Sequence, residues 1–509
     1  MPDIVLIILD TQRRDRLSIY GHPQQTSPHL DEFATESTLF ERAIAPAQWT
    51  VPSHASMFTG LYPSTHQVTQ ATSKLSGSYP TLAEILQADG YHTAGFCNNP
   101  LVGVLDTGLI RGFNQFFNYA GAAPNRPLDL TRTWVRRKIS QQWRRFALHV
   151  SQYFARSDWL FRISLHPMLT PLWTRWVNYK GNTARSIDDL IDYHKVHRGG
   201  GQPLFLFLNL MGTHMPYRPP QDYIKRFVPD VDKAAYSFIN RFNADAARWA
   251  SPVEEPLSAW ESHIIDGFYN AEVAHQDYHL GRLLRYLKDS GALEDTLVII
   301  ATDHGEGHGD HHFFGHSFVV YQELVHVPLV ISYPQMFPVG KRIQTNVSTR
   351  RIFHTVLDVA GITPPIDESN PNADVKNLSL ARSTNCAPDS ENGLVFAEAF
   401  PPQTLLSVIE HHHPHLIESM LLTCVRRGVY QDSHKLAVAN DYIEGLFDIA
   451  VDPTEQVNLA EQNRQLATDL QNKISAFVQL AQHYHTDSPY DGSVSPDVIN
   501  HLKALGYIE

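Results

Sequence analysis

Four short apolar runs mark the chain: Ile4–Leu9, Leu204–Leu210, Leu297–Ala301 and Val327–Ser332. Each is rich in Val, Ile, Leu and Phe and is bounded by polar, Gly or Pro residues. Such runs read as strands buried on both faces of a parallel sheet. Pro28–Phe40 and Ala271–Leu287 repeat their apolar residues at helical spacing instead. The alternation predicts an α/β fold, a large mixed, mostly parallel sheet flanked by helices. Past residue 390 the pattern shortens. Leu394–Phe400, Leu422–Arg426, Lys435–Ala439 and Gly445–Ile449 are strand-like, and Leu459–Tyr484 is helix-like. They predict a smaller C-terminal antiparallel sheet plus a helix, reached through Pro364–Ser390, which is rich in Pro, Asn and Ser. The domain reading is 1–385 for a catalytic α/β domain, with an insertion at about 115–201, and 390–509 for a C-terminal α+β subdomain.

Three of the apolar runs give way to polar, reactive residues. Asp10 ends the first, Gly212-Thr213-His214 come after the second, and Thr302-Asp303-His304-Gly305 end the third. Open α/β sheets bind ligands beyond the carboxyl ends of their strands, so these clusters are expected to face one another. Two carboxylates and an imidazole suit a divalent cation that takes mixed oxygen and nitrogen ligands. Taken singly, each Asp has a plainer reading as a helix cap. A second cluster, Trp49-Thr50-Val51-Pro52-Ser53-His54, reads as a turn into a helix N-terminus, where backbone N–H groups favour an anion. Thr50 would lie between that anion and a metal; the alternative is ordinary capping by Thr50 or Ser53.

Composition narrows the class. At 43% hydrophobic and 18% charged residues, 509 residues can bury a large core, which excludes a disordered chain, a coiled coil and a collagen-like fibre. The formal charge of −12 argues against a general nucleic-acid binder. Cys97, Cys386 and Cys424 make neither a disulfide framework nor a CxxC metal site. Ile4–Leu9 is too short and lacks the basic flank of a signal peptide, and no run approaches a membrane span, so a cytoplasmic location is expected. One segment departs from this acidic balance. Residues Arg132 to Lys180 hold ten basic residues and one acidic (Asp158), a local +9, with five of the eight tryptophans. It reads as an amphipathic helical subdomain packed on the core. A surface for an anionic amphiphile or a membrane interface is the sharper alternative, and a nucleic-acid groove the remaining one.

The motifs together resemble the sulfatase family of the alkaline-phosphatase-like superfamily. The resemblance runs through IVLIILDTQRRDRLSIYG, TVPSHASMFTGLYPSTH, GYHTAGF, NLMGTHMPY and ATDHGEGHGDHHFFGHSFVVYQELVHVPLVI. It continues in GLFDIAVDPTEQVNLAE and HLKALGY, leaving out roughly residues 115–201. Carried over residue by residue, it implies that Asp10, Asp303 and His304 are metal ligands and that Thr50 is the nucleophile, itself touching the metal. His214 takes the place of a histidine on the ester group or its leaving oxygen, and His316 that of a Lys or His with similar work. His54 and Asn99 fall at substrate-binding positions, with Asn98 the alternative to Asn99. The implied cofactor is one divalent ion, Mn2+ first, with Zn2+, Ca2+ or Mg2+ as alternatives.

The chain also departs from the family. Sulfatases carry Cys or Ser at position 50, oxidised to formylglycine, within Cys/Ser-x-Pro-x-Arg; here the positions are Thr50 and His54. Threonine's Cβ methyl bars the aldehyde. The second Asp of the family's Asp-Asp pair is Thr11, and the Asn that commonly follows the third Asp is His304. Asp10, Asp303 and an ionised Thr50 oxygen would restore the charge of three carboxylates. This resembles threonine-using members such as phosphodiesterases and glycerophosphate transferases. The expected function is a metal-dependent hydrolase of phosphodiester, phosphonate or phosphate esters through a Thr50 covalent intermediate. A sulfuric ester hydrolase, a phosphoryl transferase to an alcohol and a non-catalytic binding protein are the alternatives. The expected partner is an anionic ester, with an amphiphilic one as the sharper form, rather than nucleic acid. Peripheral lipid contact through 132–180 and an oligomer are further expectations. Of the other histidines, His308, His311 and His312 suit support of the site, and His411-His412-His413 a solvated loop.

Overall fold

The computed structural model describes residues 1–71, 73–120, 127–131, 180–244, 252–364, 374–384 and 391–483. The Trp-rich basic segment, Lys180 apart, therefore lies outside the described residues, as do residues 121–126 and the tail from 484.

The first four strands are β1 (Asp3–Leu9), β2 (Thr38–Ile44), β3 (His92–Cys97) and β4 (Gln115–Asn118). Next come β5 (Leu128–Asp129), β6 (Leu204–Leu210), β7 (Thr296–Ala301), β8 (Gly307–His308), β9 (Phe314–Gly315) and β10 (His326–Ser332). With β11 (Arg342–Ile343) and β12 (Val347–Ser348), all but β8 and β9 form one sheet. Its order is β11-β2-β10-β7-β1-β6-β3-β4-β5, with β12 on β2. β1 lies between β6 and β7, parallel to both, and every residue from Ile4 to Leu9 is buried. Helices cover the two faces, including the 31-residue helix Ala259–Asp289. Register then does what the site needs. Leu9 pairs with Leu210, Ile8 with Ala301 and Cys97 with Asn209, so four strands release their carboxyl ends side by side.

Two expectations change. Val327–Ser332 is a buried strand, but β10 runs antiparallel to both β7 and β2. A parallel return needs a crossover to the opposite sheet edge. Residues 302–325 instead fold at the carboxyl end, around the β8–β9 ladder, and re-enter from there. Burial on both faces gives the same apolar run in either direction, so composition alone could not tell them apart. The helix expected over Pro28–Phe40 stops at Thr35, and its last three residues open β2, where Leu39 and Phe40 pair with Val330 and Leu329.

The C-terminal sheet is antiparallel, in the order β13 (Val395–Ala399), β14 (Arg426–Gln431), β15 (His434–Ala439) and β16 (Tyr442–Asp448). The helix Arg464–His483 seals it by packing Leu470 and Ile474 with Val429, Leu436 and Leu446. Leu422 precedes β14 in a turn rather than opening a strand, and Leu459 lies before the helix, its N–H bonded to Leu446 O at 2.7 Å. His411 and His412 close a helix, Gln403–His412, rather than occupy a loop. Part of the expected linker is structured too. Val375–Leu378 and Leu380–Thr384 are helical, and the buried guanidinium of Arg351 caps Leu378 O at 2.8 Å and Ser379 O at 3.2 Å. Val395, Ala397, Tyr430 and Phe447 join the apolar cluster of the main sheet, so the two sheets share a core. Among the described residues no helix is long and apolar enough to cross a membrane.

Candidate active site

The strand ends deliver the polar groups and one helix start meets them. Asp10 leaves β1 with its N–H on Leu210 O at 2.8 Å. Asp303 and His304 leave β7, and Thr50 is the first residue of the helix Thr50–Thr59. The capping alternative fails for this helix: Trp49 is the N-cap, with no side-chain cap bond. Ser53 Oγ donates instead to Asp303 O at 2.7 Å, tying the helix to the end of β7. The Thr50 hydroxyl is thus left for the site, with Oγ1 3.3 Å from His304 Nε2 and 3.3 Å from Asn99 Nδ2.

Asp10, Asp303 and His304 each place one ligand atom within 4.8 Å of the others, all fully buried. Asp10 Oδ2 accepts from Asn99 at 2.6 Å and Asn209 at 3.1 Å, while among the described residues its Oδ1 and Asp303 Oδ2 have no hydrogen-bond donor, His304 Nε2 lying 3.3 Å from the latter. An unpaired buried carboxylate oxygen is costly unless a cation meets it. His304 Nδ1 donates to Gly305 O at 2.9 Å, which leaves the Nε2 lone pair to a ligand. Burial, and then the Asp10 charge, push the Asp303 carboxyl well above the usual carboxylate range. Burial, and then His316, hold His304 well below the usual imidazole range. A divalent cation would answer all three groups at once, and the donor set fits one.

The neighbouring residue is strained. Thr11 is β-branched yet sits at φ 59°, its carbonyl accepting from Tyr269 Oη at 2.7 Å and its hydroxyl donating to Asp10 O at 2.7 Å. These bonds hold the turn that presents Asp10.

His54 lies behind Thr50. Its Nδ1 donates to Thr50 O at 2.8 Å, its Nε2 accepts from Asn209 Nδ2 at 3.3 Å, and its ring stands edge-on to Phe58 and Phe207. Burial holds its pKa below the usual value. Asn99 meets Asp10 and Thr50, whereas Asn98 Nδ2 bonds Ser186 Oγ at 3.3 Å, so the geometry favours Asn99 of the two. His214 and His316 are brought together, ring centroids 5.2 Å apart, with His316 4.4 Å from the His304 ring. His214 Nδ1 donates to Met215 O at 2.5 Å, and burial followed by His316 lowers its pKa.

His308, His311 and His312 do not join the cluster. His308 bridges Asp266 at 3.2 Å and Tyr217 Oη at 3.0 Å; His311 bonds Glu323 at 2.9 Å and stacks on Tyr321. His312 turns at φ 67°.

Two residues at the site were not singled out by sequence reasoning. Asn209 ties Asp10 to His54, and its signal was available: one amide inside the otherwise apolar LFLFLNL. Glu306, two residues past His304, is fully buried with Oε1 2.8 Å from His316 Nδ1. Its position in Asp-His-Gly-Glu hinted at the site, but its partner is ten residues away.

A buried carboxylate–imidazole cluster with a hydroxyl, at the carboxyl edge of a mostly parallel sheet, defines a metal-dependent ester hydrolase. The sulfatase family profile matches residues 2–362, and the chain belongs to the sulfatase family. Anionic esters are the substrates of that class. An arylsulfatase of Clostridium perfringens is 26% identical over 391 residues, 72% of this chain and 76% of its own. Arylsulfatase K of Bos taurus is 24% identical over 498 residues, 94% of this chain and 82% of its own. The phosphonate monoester hydrolase of Agrobacterium radiobacter superposes with a TM-score of 0.66 at 22% identity, covering 95% of this chain and 96% of its own. The last of these speaks to the fold.

Proposed function

We propose that this protein hydrolyses monoanionic phosphorus esters, phosphodiesters or phosphonate monoesters, with Thr50 as nucleophile. The observation that carries the reading is the Thr50 hydroxyl, 3.3 Å from His304 Nε2 and 3.3 Å from Asn99, on a residue that cannot become an aldehyde. Asp10, Asp303 and His304 would hold one divalent ion, Mn2+ first, with Thr50 as a fourth donor. Such an ion supplies charge to the ester oxygen and lowers the hydroxyl's pKa.

The chain's own residues do the rest. His54 bonds the Thr50 carbonyl and steadies the helix start. Thr50 Oγ1 attacks phosphorus, the bond to the leaving oxygen breaks, and His214 and His316 steady that oxygen, one of them giving it a proton. Water then displaces Thr50 from the phosphothreonine. The preference for a single negative charge follows from the cations. His54 replaces an arginine and is held neutral by burial, Arg13 is tied to Asp15 and Asp310, and Lys180 to Glu272.

The sulfuric ester alternative is favoured by the curated relatives, both named as arylsulfatases. One experiment separates the two. Protein quenched during turnover of a phosphonate monoester should carry an added phosphoryl group on Thr50 in peptide mass spectra. Thr50→Ala should lose turnover by several orders of magnitude with the metal retained, and Thr50→Ser should keep part of it. An oxidised residue 50, or sulfate release with negligible phosphodiester cleavage, would overturn the reading.

A further inference from the structure

Glu306 is a fully buried carboxylate outside the three-residue ligand cluster. Among the described residues its side chain hydrogen-bonds one group, His316 Nδ1, at 2.8 Å, and its Oε2 has no hydrogen-bond partner. Its backbone is pinned as well, since Arg13 Nη1 donates to Glu306 O at 3.2 Å and Arg13 is itself clamped by Asp15 and Asp310. The carboxylate is therefore a fixed acceptor. A carboxylate at Nδ1 keeps a proton on that nitrogen and fixes the ring's rotation, as outer-layer carboxylates do for functional histidines generally. The ring so held lies 4.4 Å from His304 and 5.2 Å from His214, against the cluster and near the Thr50 hydroxyl's own partner.

We propose that Glu306 is a positioning residue: by accepting Nδ1–H of His316 it presents Nε2, and only Nε2, to the leaving oxygen of the ester. The inference rests on the esterase reading above and names how its leaving group is handled. In the first displacement Thr50, as its alkoxide, forms the Oγ1–phosphorus bond and the bond from phosphorus to the leaving oxygen breaks. That oxygen takes the Nε2 proton of a His316 ring that carries protons on both nitrogens, leaving Nδ1–H on Glu306. In the second, water's oxygen bonds phosphorus, the bond to Thr50 Oγ1 breaks to return the alkoxide, Nε2 takes one proton of the water, and the other stays on the released phosphorus acid. His316 ends as it began. Without Glu306 the ring is free to turn and to exchange its tautomer, and a poor leaving group loses its proton source. A good leaving group needs that proton less.

The test is the leaving-group dependence of Glu306→Leu, Glu306→Gln, His316→Gln and the Glu306→Leu/His316→Gln double variant. The probes are 4-nitrophenyl and phenyl esters of phenylphosphonic acid, with the matching sulfates run in parallel. The ratio of kcat/KM for the 4-nitrophenyl over the phenyl ester should rise tenfold or more in Glu306→Leu and in His316→Gln. The double variant should show no further rise, because the two residues act as one unit. Glu306→Gln, which still offers an amide oxygen to Nδ1–H, should recover most of the ratio. Because the ratio is taken within one preparation, it is insensitive to how much of a variant folds. Equal losses on both esters, or effects of the two substitutions that multiply, would overturn the positioning role. Turnover of the sulfates alone would sink the phosphorus reading while leaving the ratio to decide on Glu306. A wild-type protein inert toward both series sinks both.

Discussion

Thr50 and His54 stand one helical turn apart, and their contacts run in different directions. Thr50 Oγ1 reaches His304 and Asn99, whereas His54 turns back to the Thr50 carbonyl and to Asn209. The three proposed ligands would carry the metal directly, so Asp10→Ala, Asp303→Ala and His304→Ala should each strip most of the ion. Near-stoichiometric metal by elemental analysis in all three would refute the assignment. Asn209 acts one layer out. It donates to Asp10 Oδ2 at 3.1 Å and orients that carboxylate without touching the ion site. Asn209→Leu should therefore weaken metal affinity by about 10–100-fold, measured by competition with a chelator. The meeting of Asp10, Asp303 and His304 was legible in the sequence because a polar cluster ending an apolar strand is conspicuous. The Glu306–His316 contact was not, because which imidazole a buried carboxylate meets is set by the turn between them.

At the scale of elements, the turn after β7 is the tightest point of the site. Gly305 donates to Leu324 O at 2.7 Å, and a methyl group there would meet the Glu323 carbonyl oxygen. The backbone must approach that closely for His304 and Glu306 to flank the turn. Gly305→Ala should cost about 1–3 kcal/mol of stability, seen as a lower unfolding midpoint in denaturant, and should displace His304 enough to weaken metal binding. An unchanged midpoint and affinity would show that the segment 321–325 gives way freely. Similar logic explains where element boundaries were missed. Leu39 and Phe40 continue a helical spacing, but their chain direction is decided by pairing with β10, a partner nearly three hundred residues away.

For the molecule as a whole, buried neutral histidines set the response to acid. His66 lies beneath the helix Thr50–Thr59, its Nε2 3.0 Å from Ser56 Oγ and its Nδ1 accepting from Val68 N–H at 3.0 Å. Burial pushes its pKa down to about 3. The folded state thus refuses a proton that the unfolded chain takes up below about pH 6.5. Stability from this group is complete above pH 6.5 and falls as pH drops toward 3, by roughly 2–3 kcal/mol at pH 4.5. His66→Gln, which cannot titrate, should show a flatter dependence of unfolding midpoint on pH between 6.5 and 4.5 than the wild type; parallel curves would contradict this. The sequence by itself determined the α/β class, the antiparallel C-terminal sheet and the strand-end residues Asp10, Asp303 and His304, because burial and strand-end polarity are local properties of the chain. Only the tertiary structure decided that β10 runs antiparallel, that Asn209 braces Asp10, that His54 supports Thr50 from behind and that Glu306 holds His316. Each of these depends on which strands lie next to one another, and neighbours in the sheet are chosen by the packing of the whole chain rather than by any segment of it.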